Sequence, residues 1–272
     1  MANKKSLVYL VRWIPVVILL GIELSSSVKT QGQNISPTDR PLSLRDELQI
    51  EFKSPPAQGE PKESDIAGTR GNCPGMNADV PLTPVLPATS DRRFYPGLTA
   101  AEYPTLFVFV PETSAQTAQF SLYQDETGAQ ELYETTISLK NTPGIIAIKI
   151  PERAGKSLEI GQRYSWGFSL ICPHDSPIAD SSANPTIFGI IERTEVSPNV
   201  FTAIDSEASL NNALLYAQMG LWHDTLMTLA KLRQSQPDNL TLTAIWQDLL
   251  QAESVNLNDI SEQPLIDCCE LN

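Results

Sequence analysis

The clearest pattern of hydrophobic and polar positions runs from Arg163 to Cys172. Large apolar side chains alternate there with small or polar ones, and the apolar set is Tyr164, Trp166, Phe168 and Leu170. A period of two places one such set on a single face of a β-strand. Aromatic rings on that face bury a large apolar area, so the pattern predicts a strand that forms the floor of a hydrophobic core. The alternative is an aromatic platform for binding sugars.

Shorter apolar or alternating runs lie on both sides of this strand, separated by prolines and by turn sequences such as Asp125–Gly128. The predicted strands are Leu82–Leu86, Thr105–Val110, Gln119–Gln124, Glu131–Leu139, Ile145–Ile150 and Thr186–Thr194. The first is expected at a sheet edge because its prolines cannot donate to a ladder. With the aromatic strand, these runs predict an antiparallel β-sandwich of immunoglobulin-like size, without the cysteine and tryptophan spacing of antibody domains.

After Pro198 the apolar positions recur with a helical period. The predicted helices are Ser206–Gly220, His223–Gln234 and Thr241–Glu253. The first two resemble a tetratricopeptide repeat, whose pattern is matched by Ala213, Tyr216, Gly220, Trp222, Leu229 and Pro237. Thr225 stands where that repeat has a small alanine. One and a half units are too few for a free-standing solenoid, so we expect a small helical hairpin packed on the sandwich. A peptide-binding groove is the alternative.

The first 27 residues have the pattern of an export signal. Lys4, Lys5 and Arg12 precede or flank the apolar run Trp13–Ile22, and small residues follow up to Ser27. An uncleaved membrane anchor is the alternative, but Arg12 interrupts the longer apolar run that it would need. We expect cleavage after residue 27 and an extracytoplasmic protein, periplasmic or secreted, with no stable membrane span after the signal is removed.

The export signal is followed by three predicted regions. Residues 28–72 are polar and rich in proline, which predicts a disordered linker, with weak indications of a short strand or helix at 42–52. The β-sandwich domain is expected over 73–197. The helical region is expected over 198–272 and packed on the sandwich.

Four cysteines, Cys73, Cys172, Cys268 and Cys269, remain after cleavage. An even number in an oxidising compartment favours disulfides, and four cysteines allow three connectivities. Adjacent cysteines rarely bridge to each other, and we favour a bond between Cys73 and Cys172. A zinc site made from Cys172, His174, Cys268 and Cys269 is the alternative, although paired C-x-x-C units are missing.

The amino-acid composition argues against two classes of binding partner. The chain has 272 residues, with 19 Lys and Arg against 32 Asp and Glu, and a formal net charge of −13. Proteins that bind nucleic acid neutralise phosphates with Lys and Arg, so the charge argues against such a partner and against anionic lipid surfaces. Hydrophobic residues make up 41% of the chain, which is enough to build a core.

No motif of a known catalytic or cofactor site is found in the chain. There is no nucleophile elbow, phosphate-binding loop, dinucleotide fingerprint or His-Glu-x-x-His sequence. The two histidines, His174 and His223, are each followed by an aspartate, and sequence neighbours do not make a catalytic pair. We therefore predict no catalytic residues, no cofactor and no metal. A hydrolase with paired carboxylates is the alternative.

The chain resembles a cyanobacterial family, domain of unknown function family 928. The resemblance covers about residues 69–269 and is carried by several segments in order. They include Thr69–Cys73, Tyr103–Pro111, Thr142–Ile145, Leu158–Trp166, Gly189–Arg193 and Ala213–Asp224. It implies an exported cyanobacterial protein without an assigned activity, in which sandwich and helices form one unit. We expect a non-catalytic binding or scaffold module of the periplasm or cell envelope, with an envelope protein or peptide as partner.

Overall fold

The alternating aromatic stretch forms the longest strand of the larger of two β-sheets. The computed structural model describes residues 50–54, 73, 76, 79–125, 127–152, 157–173, 184–197 and 207–266. All of them belong to one compact unit, residues 43–272. The strands are β1 (Thr83–Pro84), β2 (Gly97–Thr99), β3 (Thr105–Val110), β4 (Thr117–Tyr123), β5 (Glu131–Ser138), β6 (Gly144–Lys149), β7 (Arg163–Ile171) and β8 (Thr186–Arg193). The helices are α1 (Leu210–Gln218), α2 (Trp222–Ser235) and α3 (Leu240–Gln251).

The strands form one sheet in the order β1-β3-β6 and another in the order β2-β8-β7-β4-β5. Every pairing is antiparallel except β2 with β8, which run parallel. The predicted hairpin of β4 and β5 is confirmed, with Phe120 opposite Thr135. The prediction of a purely antiparallel arrangement is therefore wrong at β2, a three-residue strand too short to give a periodic pattern.

The three-stranded sheet is covered on both faces. All six residues of β3 are buried, and Phe107 packs edge-on against Trp246 of α3, with 6.1 Å between ring centroids. A strand buried on both faces reads as a continuous apolar run, as Thr105–Val110 does. Both sheets and all three helices contribute side chains to one hydrophobic core. The predicted mixture of β-sheet followed by helices is confirmed at this level.

Strand β1 is shorter than predicted. The expected strand Leu82–Leu86 pairs with β3 only over Thr83–Pro84, although the Val85 amide also donates to Phe107 at 3.0 Å. Proline has no N–H to donate, so a ladder cannot continue through Pro81, Pro84 and Pro87. The backbone then leaves the sheet and turns through the residues that form one side of a groove described below.

The helix ends follow from their capping residues. The Ser209 side chain accepts from the Asn212 amide at 3.1 Å, so α1 begins at Leu210, four residues after the start of the predicted helix Ser206–Gly220. Gly220, with φ of 73°, ends the turn after α1 at the position predicted for it. The Asn239 side chain caps α3 by accepting from the amides of Thr241 and Leu242.

Part of the segment predicted as a linker is packed against the helices. Ile50 and Phe52 are buried, and the Phe52 ring contacts Trp222 edge-on at 4.9 Å between centroids. The Lys53 amide donates to the carbonyl of Ala217 in α1 at 3.2 Å. Residues 50–54 therefore belong to the folded unit. The predicted signal peptide (1–27) and the rest of the linker (28–72) lie outside the described residues.

Candidate functional site

The predicted disulfide between Cys73 and Cys172 is present. The two Cα atoms are 5.1 Å apart, and both residues are buried. Because the Cys172 sulfur is in this bond, the predicted alternative of a zinc site that includes Cys172 is wrong. His174, Cys268 and Cys269 lie outside the described residues. Within the part of the chain that is described, no cluster of three His, Cys, Asp or Glu residues could hold a metal.

The aromatic residues of β7 form the core, as their alternation predicts. Trp166 and Phe168 have no solvent exposure, and Tyr164 is buried. The indole of Trp166 lies over Gly189 of β8, where a Cβ atom would be 2.4 Å from two of its ring carbons. Glycine at this position therefore makes room for the ring. A sugar platform built from these rings is excluded, since none of them reaches the surface.

His223 occupies an unusual place in the core. It is in the first turn of α2, is 1% exposed, and neither ring nitrogen has a hydrogen-bond partner among the described residues. Its ring lies over Gly97 of β2, beside Leu86. Burial lowers the pKa of His223 from 6.5 to about 3, while the nearby backbone of Thr105 acts weakly in the opposite direction. The ring is therefore neutral at physiological pH and enclosed by core side chains.

Substituting Gly97 with alanine should lower the free energy of unfolding by about 2–3 kcal/mol. The new Cβ would be 2.2 Å from Nε2 of His223 and 2.9 Å from a methyl carbon of Leu86, so the buried ring would have to move. Urea unfolding of Gly97→Ala, His223→Ala and the double variant measures this coupling. In the His223→Ala background the alanine should cost less than about 1 kcal/mol. An equal cost in both backgrounds would show that the ring does not cause the effect.

Asp224, the next residue of α2, ties the helix to the end of β2. Its carboxylate accepts from the Ala100 amide at 3.0 Å and from the Thr99 hydroxyl. Burial raises the pKa of Asp224 from 3.8 to about 6, and these hydrogen bonds hold the increase back. Burial and the charge of Asp224 also raise the pKa of Tyr216. The side chains of His223 and Asp224 thus contact different groups: His223 packs on Gly97, and Asp224 accepts hydrogen bonds from Thr99 and Ala100. We call Asp224 and these two hydrogen bonds the α2 clamp. This geometry favours a structural role over a catalytic pair.

A groove of about 480 Å³ opens where β1 of one sheet approaches β8 of the other. We call it the β1–β8 groove. Its walls come from residues 80–84, the turn 88–94, Ile187 of β8 and the segment 256–260 after α3. The groove exists because β2 covers only residues 191–193 of β8. Buried apolar side chains that line it include Leu82, Phe94, Leu257 and Ile260.

Two exposed ion pairs lie at the polar end of the β1–β8 groove. Arg92 lies at the tip of the 88–94 turn and its Nη2 is 2.6 Å from Oδ2 of Asp259, on the opposite wall. Beside it, Nε of Arg93 is 2.9 Å from Oδ2 of Asp91. The Thr89 hydroxyl, and to a smaller extent Arg93, hold the pKa of Asp91 below its usual value. This end therefore carries both signs of charge in equal number, and its exposed pairs can exchange partners with a ligand.

Two backbone outliers flank the same end of the groove. Arg92 and Asn256 have φ angles of 60° and 56°, in the left-handed region that side chains other than glycine rarely adopt. For Asn256 the cause is local, since its amide donates to the Ala252 carbonyl as the chain leaves α3. For Arg92 the conformation places the side chain at the tip of the turn, within reach of Asp259. The turn and the 256–260 segment thus present opposed charges from fixed positions.

The sequence does not reveal this groove. The 80–94 side lies about 100 positions from Ile187 and about 170 from the 256–260 segment, so no local spacing connects these walls. The one local indication is the run of prolines at 81, 84 and 87, which predicts a strand that leaves its sheet early. Hydrogen bonds then hold the walls together. The Ala88 amide donates to Val255 at 2.9 Å, and the Trp222 indole donates to the Val85 carbonyl at 2.7 Å.

A family model described as Domain of Unknown Function (DUF928) matches residues 65–265. The chain belongs to the DUF928 family. No curated protein and no solved structure matches it. The DUF928 match covers every described strand and helix and both sides of the β1–β8 groove. It agrees with the resemblance found in the sequence, which predicted one unit of sheets and helices.

None of the described helices combines the length and apolar composition needed to cross a membrane. The longest of them, α2, has 14 residues, whereas a spanning helix needs about 20.

Proposed function

We propose that this DUF928 protein is a non-catalytic binding or scaffold module of the periplasm or cell envelope, and that the β1–β8 groove holds its ligand. The observation that carries the proposal is the groove itself, with an apolar interior and the exposed Arg92–Asp259 pair on its lining. Concave sites with a largely apolar lining and a few placed polar groups are typical ligand sites. An extended segment of an envelope protein suits this lining, because apolar side chains can enter the groove while charged ones replace the ion pair.

Two features that indicate export support a location in the periplasm or cell envelope. Disulfides persist outside the cytoplasm, and the Cys73–Cys172 bond fits the apolar N-terminal run that resembles a signal peptide. A membrane-anchored form differs only in whether that run is cleaved. We also retain the interpretation that the sheets form an immunoglobulin-like sandwich carrying a tetratricopeptide-like hairpin. Two sheets with a common core, and the contact between α1 and α2, support it.

The competing proposal is a hydrolase that uses paired carboxylates. It would need one carboxyl group with a raised pKa to donate a proton in a cleft. The groove carboxylates Asp91 and Asp259 instead pair with Arg93 and Arg92, and the pKa of Asp91 is lowered. Asp224 and Glu131 do have raised pKa values, but neither lines the groove. Asp224 is held by the end of β2 in the α2 clamp, and Glu131 is exposed beside Glu134 on strand β5. These contacts favour binding over catalysis.

A photo-crosslinking amino acid placed at Ser90, on the mouth of the groove, tests the binding proposal. The same amino acid at Lys231, exposed on α2 and away from the groove, is the matched control. In the native envelope fraction we expect a discrete adduct from position 90 that position 231 does not give. The partner identified by mass spectrometry should then bind the purified protein, and bind Asp259→Lys at least about tenfold more weakly.

Two results would count against the groove as the ligand site. One is an equal pattern of adducts from positions 90 and 231, which would indicate nonspecific capture. The other is a purified partner that binds wild type and Asp259→Lys equally, because the substitution leaves Arg92 facing a second cation.

A further inference from the structure

The outer face of the five-stranded sheet carries a block of uncharged side chains. Strand register places three residues from each of β4, β7 and β8 side by side on this face. They are Gln119, Ser121, Tyr123, Ser165, Gly167, Ser169, Thr186, Phe188 and Ile190. With strands about 4.8 Å apart and about 6.8 Å between alternate residues, the block covers roughly 10 by 14 Å. Charged residues border the block: Glu131 and Glu134 on β5 lie opposite Tyr123 and Ser121, and the Arg163–Glu192 pair lies at one end of β7 and β8.

This neutrality is notable in a chain with 51 charged residues and a net charge of −13. An anionic partner would be repelled by the protein as a whole, and the carboxylates near the block, Glu131 and Glu134, lie along its β5 side and away from Phe188. The polar side chains of the block are hydroxyls and one amide, which both donate and accept hydrogen bonds. Gln119 and Tyr123 are partly exposed and make no side-chain hydrogen bond with another described residue. Ser121 is buried, the Ser165 hydroxyl donates to the Asp125 carbonyl, and the Ser169 and Thr186 hydroxyls bond to each other.

Phe188 lies in the middle of the block and is 37% exposed. The neighbouring position on β7 is Gly167, and a Cβ atom there would be 3.1 Å from Cε1 of the Phe188 ring. The edge of the ring therefore leans over the glycine and stays close to the sheet. Glycine inside a strand costs stability, and it often marks a place where another group approaches the backbone closely. The Phe188 ring therefore lies close to the backbone of the sheet, on a face whose polar groups are mostly hydroxyls.

We infer that this face, centred on Phe188, binds a neutral saccharide. The apolar C–H side of a pyranose ring can pack on the exposed aromatic ring, while its hydroxyls bond to the partly exposed Gln119 and Tyr123 side chains. The site is separate from the β1–β8 groove, because Ile187 faces the groove and Phe188 faces the opposite side of the same strand. It is also separate from the buried aromatics of β7, which occupy the other face of the sheet.

Affinity gel electrophoresis of the mature protein in gels that contain xyloglucan, mannan or dextran tests this inference. Alginate, an acidic polysaccharide, serves as the charged comparison. At least one neutral polymer should retard the wild-type protein, and Phe188→Ala should weaken that retardation about five- to tenfold. Gln119→Glu, which keeps the shape but adds a charge to the block, should weaken it as well. Ile160→Ala, at an apolar residue outside the block that is more exposed than Phe188, should leave it unchanged.

Phe188 is on the surface, so its replacement should leave the thermal midpoint within a few degrees of wild type, which separates loss of binding from loss of fold. Absence of retardation by every neutral polymer would overturn the inference. Retardation by alginate alone, or equal retardation of wild type and Phe188→Ala, would overturn it too. A dimer that Phe188→Ala converts to monomer, without saccharide binding, would assign the face to a second copy of the chain.

Discussion

Replacing Cys73 and Cys172 together with serine should lower the free energy of unfolding by about 4 kcal/mol. The bond joins residues 99 positions apart, and closing a loop of about 100 residues removes chain entropy worth about 4.7 kcal/mol from the unfolded state. The loop contains β1 to β7, so the bond restricts most of the β region before it folds. Both cysteines are buried, and the serine hydroxyls would add a desolvation cost.

Thermal unfolding followed by circular dichroism measures this effect. For a folded unit of this size the loss corresponds to a midpoint lower by about 10 °C. The double substitution is needed because either single variant leaves a free thiol that can pair with Cys268 or Cys269. Adding a reductant to the wild-type protein should reproduce the shift, and adding it to the double variant should do little. Equal midpoints for oxidised wild type and the double variant would show that the bond does not stabilise the fold.

The sequence predicts best the elements whose burial is periodic. In β7 the alternation of aromatics with serines matches the alternation of buried and partly exposed positions, and only Gly167, under the Phe188 ring, departs from it. For β3 the prolines on both sides fix the ends, and the predicted Thr105–Val110 agrees with the observed strand. In both cases the determining interactions lie within a few residues along the chain. Local pattern is then sufficient, because one face or both faces must be covered by apolar side chains.

The elements that the sequence did not predict are held by contacts between distant residues. Strand β2 has only three residues and exists through its parallel pairing with β8, about 94 positions away. Ile50 and Phe52 look like part of a polar linker, yet a pocket beside Trp222 buries the Phe52 ring. Such elements carry no period of their own. They follow from surfaces that exist only once the rest of the chain has folded.

The candidate sites, too, depend mostly on contacts between residues that are distant in the sequence. His223 is conspicuous in the sequence, but its burial against Gly97 depends on how α2 meets β2. The β1–β8 groove is formed by four segments, and only the prolines near β1 hint at it. For the outer face of the sheet, the sequence shows only that small or polar residues alternate with the aromatics of β7. The register that brings Phe188 next to Gly167 could not be deduced from either strand alone.

Substituting Asp224 with asparagine and His223 with leucine should change the pH dependence of stability in opposite directions. The folded-state pKa of His223 is about 3 and its unfolded value is 6.5. Between these values the unfolded chain binds a proton that the folded protein excludes, so this residue destabilises the fold as the pH falls below 6.5. Asp224 has a folded-state pKa of about 6 and an unfolded value of 3.8. Between these values the folded protein binds a proton that the unfolded chain does not, so Asp224 adds stability as the pH falls from 6 to 3.8.

In the wild-type protein the two effects oppose each other between pH 6 and 3.8. Each effect changes the free energy of unfolding by at most about 1.4 kcal/mol per pH unit. The effect of Asp224 is smaller than this limit because the residue keeps some solvent contact, whereas His223 is enclosed. The Thr99 hydroxyl and the Ala100 amide face Asp224, and the Tyr216 phenol is its titratable neighbour. The phenol stays neutral across this range because its pKa is raised above 10.

Urea unfolding at pH 7.5 and 4.5 measures both variants against wild type, so that contributions from all other groups cancel. Relative to wild type, His223→Leu should gain about 2–3 kcal/mol of stability when the pH falls from 7.5 to 4.5, because the proton-excluding ring is gone. Asp224→Asn should lose about 1–2 kcal/mol over the same interval, because the proton that stabilises the folded state can no longer bind. Differences from wild type that stay constant between the two pH values would show that neither residue titrates as its burial requires. A change of the same sign in both variants would show that the two side chains respond as one group, contrary to their separate contacts with Gly97 and with the Ala100 amide.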